Sequence, residues 1–418
     1  MSKINFGLAC SMAMLLTTGS VLASNGYFAH GFGSKSKSLA GAGTALPMDA
    51  MATALNPALM AYMGERLDLG IALFLPTRGF TADDPTPPPG AFTPGYYESD
   101  NDIFFIPHIG YNKMLTNDTS LGISIGGNGG MNTEYDSAVF ANFGAGSAPT
   151  GIDLMQMFIG LSLAHKIAPN HSLGIAPILA VQNVETQGLE AFQGLSIHPD
   201  QVTNKGHDWS YGGGVRVGWY GQLTPDLSAG ISYQSRLWMT KYEDYQGLIA
   251  EEGSFDIPPI FNAGLAYKLT PSWTTVLDVQ HIFFGDIKSL ANSNGVFMTP
   301  GALGGSDGLG FGWEDMTVYK LGMQWVMNND WTLRAGYSKA SDVLSGGQAL
   351  FNILAPATVT DHVTAGFTYK LNDKDEINFA AMHAFYEKLP GSNPNTPNQT
   401  GSLEMKQNEL ELSWSRKF

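Results

Sequence analysis

What most restricts this chain is an alternation of apolar residues at every second position, repeated along most of its length. Leu67, Leu69, Ile71, Leu73 and Leu75 form one set, and Leu121, Ile123 and Ile125 another. Met155, Met157, Ile159, Leu161 and Leu163 follow, then Leu173, Ile175, Leu179 and Val181, then Trp209, Tyr211, Val215, Val217 and Trp219. Tyr319, Leu321, Met323, Trp325 and Met327 are the most regular set. Val363, Ala365, Phe367, Tyr369 and Leu371 repeat it, and the chain closes on Leu410, Leu412, Trp414 and Phe418. Period two lines such residues along one face of an extended strand. Polar turns fall at Thr116-Asn117-Asp118, Ala168-Pro169-Asn170, Thr224-Pro225-Asp226, Thr270-Pro271-Ser272, Asn328-Asn329-Asp330 and Asn372-Asp373-Lys374. Long Gly-, Pro-, Ser- and Asn-rich segments separate them, at 78–101, 131–152, 186–206, 243–255, 286–314, 341–357 and 387–402. Six short turns and seven long loops predict 14 strands. An even strand count with short turns at one end and long loops at the other is the arrangement of a closed antiparallel membrane barrel. A soluble β-sandwich also alternates, but without that asymmetry.

Composition supports the membrane reading. Charged residues make up 14% of the chain, against about 25% in soluble proteins. Past the N-terminus no run of apolar residues is long enough for a transmembrane helix. Closure of the sheet is then obligatory, because an open edge in lipid leaves backbone groups unpaired. The expected fold is an all-β membrane protein, a 14-stranded antiparallel transmembrane barrel over residues 65–418. Trp209, Trp219, Trp273, Trp331 and Trp414 fall near strand ends, where interfacial girdles form. The net charge of −15 argues against a nucleic-acid partner.

Residues 1–23 read as a cleaved signal peptide. Lys3 gives a basic start, Ile4 to Leu16 an apolar stretch, and Val21-Leu22-Ala23 a cleavage site. The single cysteine, Cys10, lies inside that stretch. The apolar run continues past it, which disfavours a lipoprotein anchor, and the mature chain is left without thiol chemistry.

Residues 24–64 do not alternate. Leu39 to Ala45 is rich in small residues and glycine, Asp49 to Leu55 has short helical character, and Asn56-Pro57-Ala58 follows. Pro57 would end a helix at the residue before it. Such a segment ahead of a wide barrel fits a helical plug, or hatch, in the lumen.

The run from Asn25-Gly26-Tyr27-Phe28 through Gly41-Ala42-Gly43-Thr44-Ala45 to Asp49-Ala50 and Asn56-Pro57-Ala58 resembles the N-terminal hatch of the FadL/TodX family, outer-membrane transporters for long-chain fatty acids and aromatic hydrocarbons. The resemblance extends through the mature chain in strand count and loop order. It implies passive, hatch-gated uptake of hydrophobic small molecules through the outer membrane of a Gram-negative bacterium. The ligand passes an apolar pocket beside the mature N-terminus and leaves sideways at an inward kink of the third strand. On this sequence the hatch motif is Asn56, Pro57 and Ala58, and the pocket-side segment is Asn25, Gly26, Tyr27, Phe28 and onward to Phe32. The third strand, about Thr119 to Gly130, is expected to end in Gly126-Gly127-Asn128-Gly129-Gly130. There missing side chains permit a bend, although an ordinary strand-to-loop transition would read the same. The resemblance also implies contact with outer-membrane lipid and lipopolysaccharide, assembly by the barrel-assembly machinery that recognises an aromatic C-terminus such as Phe418, and a monomer without cofactors.

Strand phase puts Arg216, Arg236, Asp278, Lys320 and Arg334 on the luminal face, since charges facing lipid cost about 2–4 kcal/mol near the midplane. They form a carboxylate site or, the reading favoured here, pair with Asp49, Asp278, Glu314 or Asp315 to hold the hatch. Some fatty-acid members of the family place basic residues on the fifth strand and just before the tenth to meet the carboxylate. Gln182-Asn183-Val184-Glu185 and Trp313-Glu314-Asp315 supply none, which tilts the substrate toward neutral hydrophobes. The nine histidines show no metal spacing and no nucleophile motif, so an enzyme is disfavoured. A general diffusion porin for small polar solutes is the remaining alternative, and a hatch argues against it.

Overall fold

The structure is a computed structural model and describes residues 25–83, 90–294, 301–393 and 396–418. Residues 1–23, expected to be a cleaved signal peptide, lie outside the described residues. Fourteen strands form the barrel: β1 (Arg66–Ala82), β2 (Phe104–Met114), β3 (Thr119–Tyr135), β4 (Thr150–Ala168), β5 (His171–Gln187), β6 (Asp208–Gln222), β7 (Leu227–Gln234), β8 (Ile260–Thr270), β9 (Trp273–Ile282), β10 (Met316–Val326), β11 (Trp331–Ala340), β12 (Asp361–Lys370), β13 (Asp375–Asn393) and β14 (Thr396–Lys417). Each pairs antiparallel with its sequence neighbour, and β14 returns to β1 over the whole of β1, from Arg66 opposite Lys417 to Ala82 opposite Gly401. Two short outer strands, Gly95–Glu98 and Trp238–Met239, add to β1 and β6.

The turns explain themselves chemically. Five of the six begin with a Thr or Asn whose side-chain oxygen accepts the amides two and three residues on: Thr116, Thr224, Thr270, Asn328 and Asn372. Such side chains mimic a backbone turn and fix a tight reversal. Outward residues are lipid-facing apolar ones, such as Leu179, Tyr319 and Leu412, each more than half exposed. Their inward neighbours are buried and mixed, with Ala180, Lys320, Glu411 and Ser413 beside apolar Ile178 and Val318. Trp273 and Trp325 stack at 5.2 Å beside one short turn, as expected of an interfacial girdle.

The described residues of the segment 387–402, expected as a loop, instead extend the β13–β14 pair, from Glu387 opposite Met405 to Asn393 opposite Thr396. It hides from a periodicity reading because both of its faces are largely polar.

Residues 25–63 fill the lumen. A short helix spans Ser34–Lys37, and two 3₁₀ segments span Ala50–Ala54 and Pro57–Tyr62. Asp49 caps the first 3₁₀ segment through the Met51 amide, and Asn56 caps the second through that of Ala58. Inward glycines on the wall let hatch backbone approach closely. A Cβ at Gly174 would lie 2.3 Å from the Ala58 nitrogen, and one at Gly230 would lie 2.1 Å from the Thr44 oxygen.

Candidate functional site

The Asn56-Pro57-Ala58 motif ties the hatch to the wall. The Asn56 amide donates to the carbonyls of Thr44 and Trp219, both at 2.9 Å, while its oxygen caps the following turn. A Cβ at Gly218 would lie 2.0 Å from that oxygen. Ala58 is fully buried, and its carbonyl accepts from Ser172 at 2.8 Å. All of this lies against β5–β7, toward the short-turn end, where Tyr62 meets Tyr220 edge-on.

Of the expected luminal charges, three reach hatch backbone. Asp278 accepts from the Gly43 and Thr44 amides, both at 2.9 Å. Lys320 donates to the carbonyls of His30 and Gly41, and Arg216 to that of Thr53 at 3.2 Å. Arg334 instead bonds Gln324 and Thr368 on the wall. Arg236 lies beyond the end of β7, where it pairs with Asp256 at 2.7 Å. Its phase could not be carried past the strand. Glu314 and Asp315 are exposed and, among the described residues, Asp315 accepts from the Gly285 amide rather than from the hatch.

Sequence reasoning passed over the heaviest ionic contact. Lys37 pairs with both Glu409 and Glu411, Lys35 with Glu376, and Arg66 with Asp68 and Glu376. Asp68 also accepts the Ala50 amide at 2.8 Å. Burial works against the Lys37 ammonium, but the two carboxylates overcome it and raise the group above the ordinary lysine range. Lys35, buried beside Arg66, is lowered. A signal existed, since Glu409 and Glu411 alternate with Leu410 and Leu412.

The glycine run lies inside β3 rather than at its end. β2 and β3 pair only as far as His108 opposite Gly126. Above that level β2 stays on β1, while β3 continues on β4 with an irregularity between Gly127 and Gly129. The inner edge so released is taken by the N-terminus. Phe28 bridges Gly129, the Gly130 amide donates to the Tyr27 carbonyl, and the Ala29 amide donates to the Asn128 carbonyl, both at 2.9 Å. Gly26 takes a left-handed conformation (φ 64°) that turns Tyr27 and Phe28 into a cluster with Phe255, Phe284 and Trp313. Asn25 reaches Gln280 at 3.4 Å.

Two cavities lie inside the barrel. The outer one, about 110 Å³, is apolar and lined by residues including Ile152, Leu154, Val184 and Phe255. The inner one, about 20 Å³, touches Phe32, Gly126, Phe158, Gly160, Ile178 and Arg216. Both follow the inward rows of β4 and β5. A polar rung crosses between them: Asn128 donates to Gln156, Gln156 to Gln182, and Gln182 to the Phe255 carbonyl. On β4 the nearest lining residues of the two, Leu154 and Phe158, are four residues apart, about 14 Å at about 3.4 Å per residue.

The family model described as outer membrane protein transport protein (OMPP1/FadL/TodX) matches residues 18–413. The chain belongs to the OMPP1/FadL/TodX family. It is therefore an outer-membrane barrel of the Gram-negative type, within a family that transports hydrophobic compounds and is not a family of enzymes. Solved structures agree in fold. The Pseudomonas putida toluene transporter TodX is 17% identical, with a TM-score of 0.70 over 93% of this chain and 99% of that one. A Pseudomonas aeruginosa FadL homologue is 15% identical, with a TM-score of 0.72 over 94% and 100%. The Ralstonia pickettii toluene transporter TbuX is 18% identical, with a TM-score of 0.64 over 93% and 99%. No curated protein sequence matches the chain.

Proposed function

We propose that this OMPP1/FadL/TodX member admits neutral hydrophobic molecules passively, under control of its N-terminal segment, and releases them sideways between β2 and β3. The observation that carries this reading is the seat of Tyr27 and Phe28. They bond the strand edge that β2 leaves unpaired, and Tyr27 packs against Phe255, a wall of the apolar outer cavity. Ligand entering the outer cavity presses on Phe255, whose ring lies 6.3 Å from that of Tyr27. Displacement of the N-terminal segment would join the cavities and free the edge beside Gly126. Sideways release keeps an apolar solute out of water, a preference of roughly 0.8 kcal/mol per buried CH₂. It also bypasses the polar lipopolysaccharide layer. The ionic contacts of Lys35 and Lys37 and the ties of Asn56 hold the rest of the hatch, so gating needs only residues 25–32 to move. On this reading the protein works as a monomer, needs no cofactor, and is folded by the barrel-assembly machinery acting on its Phe418 end.

The test is uptake of labelled toluene, a labelled long-chain fatty acid and a glucose-sized solute by cells with and without the protein. Faster entry of a hydrophobe alone supports the reading; faster entry of the sugar makes the protein a porin. Gly126→Trp, which would fill the inner cavity, should abolish the gain. Unchanged uptake by that variant would sink sideways release at this site.

A further inference from the structure

Two adjacent residues in an outer loop hold a backbone conformation that their own chemistry disfavours. Glu251 (φ 58°, ψ 33°) and Glu252 (φ 57°, ψ 52°) are left-handed, and Gly253 follows at φ 94°. Among the described residues they are the only adjacent non-glycine residues with positive φ, since Ala40 and Asn204 each stand alone. A Cβ in this region is pressed toward the following carbonyl oxygen. Residues other than glycine and asparagine adopt it at a cost, and keep it only where the surroundings hold them there.

Side-chain packing does not supply the hold. Glu252 is exposed and Glu251 only partly buried. Glu251 meets Lys288 at 3.3 Å, but both groups are partly exposed, and such a pair contributes little. The backbone supplies it instead. The Glu251 amide donates to the Gly305 carbonyl at 2.9 Å and the Glu252 amide to the Gly304 carbonyl at 2.7 Å, while the Gly253 carbonyl accepts the Tyr242 amide at 2.9 Å. The bonds to Gly304 and Gly305 tie together two outer loops, and both loops wall the outer cavity. Ile249, Ala250 and Phe255 line it from the loop of the strained turn, and Leu303, Leu309 and Phe311 from the other.

We propose that the turn Glu251–Gly253 is a strained clasp between the two walls of the outer cavity, and that ligand enters when the clasp lets go. The inference rests on the reading of this cavity as the ligand's first station. When the bonds to Gly304 and Gly305 part, the two glutamates return to right-handed backbone and their strain is released. That release offsets part of the cost of separating the walls, so the open state is reached more often than two unstrained loops with the same bonds would allow. The clasp acts at entry, before ligand meets the N-terminal segment beyond Phe255. Its working part is the backbone conformation, not the charge of the two side chains.

The experiment separates strain from charge with three double variants of the full-length protein. Glu251→Asn with Glu252→Asn, and Glu251→Gly with Glu252→Gly, accept left-handed backbone and relieve the strain. Glu251→Gln with Glu252→Gln removes the same charges and keeps the strain. Hydrogen exchange of the amides at 251 and 252 is read in detergent, and uptake of labelled toluene in cells. The asparagine and glycine pairs should slow exchange by about tenfold or more against the glutamine pair, and should slow toluene uptake several-fold. The glutamine pair should match the parent in both. Glycine also loosens the opened chain, so the asparagine pair decides where the two differ. Exchange in the asparagine pair as fast as in the glutamine pair means that the turn stores no strain, and the proposal falls. Slower exchange with unchanged uptake takes the turn off the ligand's route and overturns the clasp. Uptake slowed equally by the glutamine pair overturns it in favour of charge. If the parent itself takes up no hydrophobe, the reading of the cavity falls and the clasp with it, whatever the exchange rates.

Discussion

The Gly130 amide donates to the Tyr27 carbonyl at 2.9 Å, so a residue of the N-terminal segment occupies the ladder position that β2 abandons above His108. The neighbouring glycine makes this approach possible. A Cβ at Gly129 would stand 2.0 Å from the Tyr27 oxygen, far inside contact distance. Gly129→Val should therefore expel the N-terminal segment without unfolding the barrel. A spin label at Ala29→Cys should become mobile in that variant, while the heat-modifiable band of a folded barrel persists. A label that stays immobile would show that the segment is held by something other than this strand edge.

Asn56 joins three partners that cannot otherwise find each other. Asn56→Leu leaves the Thr44 and Trp219 carbonyls and the Ala58 amide without their partner. Each buried orphan is worth roughly 1–3 kcal/mol. The hatch should loosen while the β1–β14 closure, which shares none of these bonds, holds. Limited proteolysis should then cut within residues 25–64 faster than in the parent, by at least about tenfold. Equal protection would reduce the motif to a local turn.

How much of this was legible in the sequence follows from periodicity. Lipid on one side and hatch on the other impose period two, so sets such as Tyr319, Leu321 and Met323 mark their strands and, by phase, place Lys320 inside. The same rule fails at Arg236, which lies past the end of β7, and on the β13–β14 hairpin tip, where no lipid enforces alternation. The hatch was legible as a segment because it does not alternate. Its contacts were not, because Lys37 meets Glu409 and Glu411 across more than 370 residues of chain, and local pattern carries no information at that range. The phase of Glu409 and Glu411 was available and pointed inward; only their partner was missing. The cavities, too, needed coordinates: Ser289 sits on the four-residue helix Lys288–Ala291 and Asn294 just past it, in a segment with no periodicity.

Lys37 bridges two buried carboxylates, Glu409 and Glu411. Lys37→Met should destabilise hatch docking by about 3–5 kcal/mol, the usual result of stripping one partner from a buried ionic group. Adding Glu409→Gln and Glu411→Gln should restore most of the loss, because the charges are then gone with their counterion. The midpoint for urea-induced exposure of the hatch, read by a fluorophore at Ser36→Cys, reports both changes. If the triple variant is no better than the single one, the pairing is incidental to docking.

Phe255 is at once a wall of the outer cavity and a neighbour of Tyr27, and its carbonyl is held by Gln182 at 2.7 Å. Removing the ring should act as an enlargement rather than a collapse, because the backbone remains anchored through that bond. Phe255→Ala should cost about 3–5 kcal/mol of local packing, a loss the barrel itself can bear because Phe255 contributes no strand pairing. The space gained lies directly below the existing cavity, toward the N-terminal segment. Two-ring ligands should then be taken up faster relative to one-ring ligands, and the ratio of naphthalene to toluene uptake should rise several-fold over the parent. Gln182→Leu, which frees the Phe255 carbonyl without enlarging the cavity, separates size from anchoring: it should leave that ratio near the parental value while slowing both ligands. A Phe255→Ala protein with the parental ratio would place the size limit elsewhere on the route, below Tyr27 at the inner cavity.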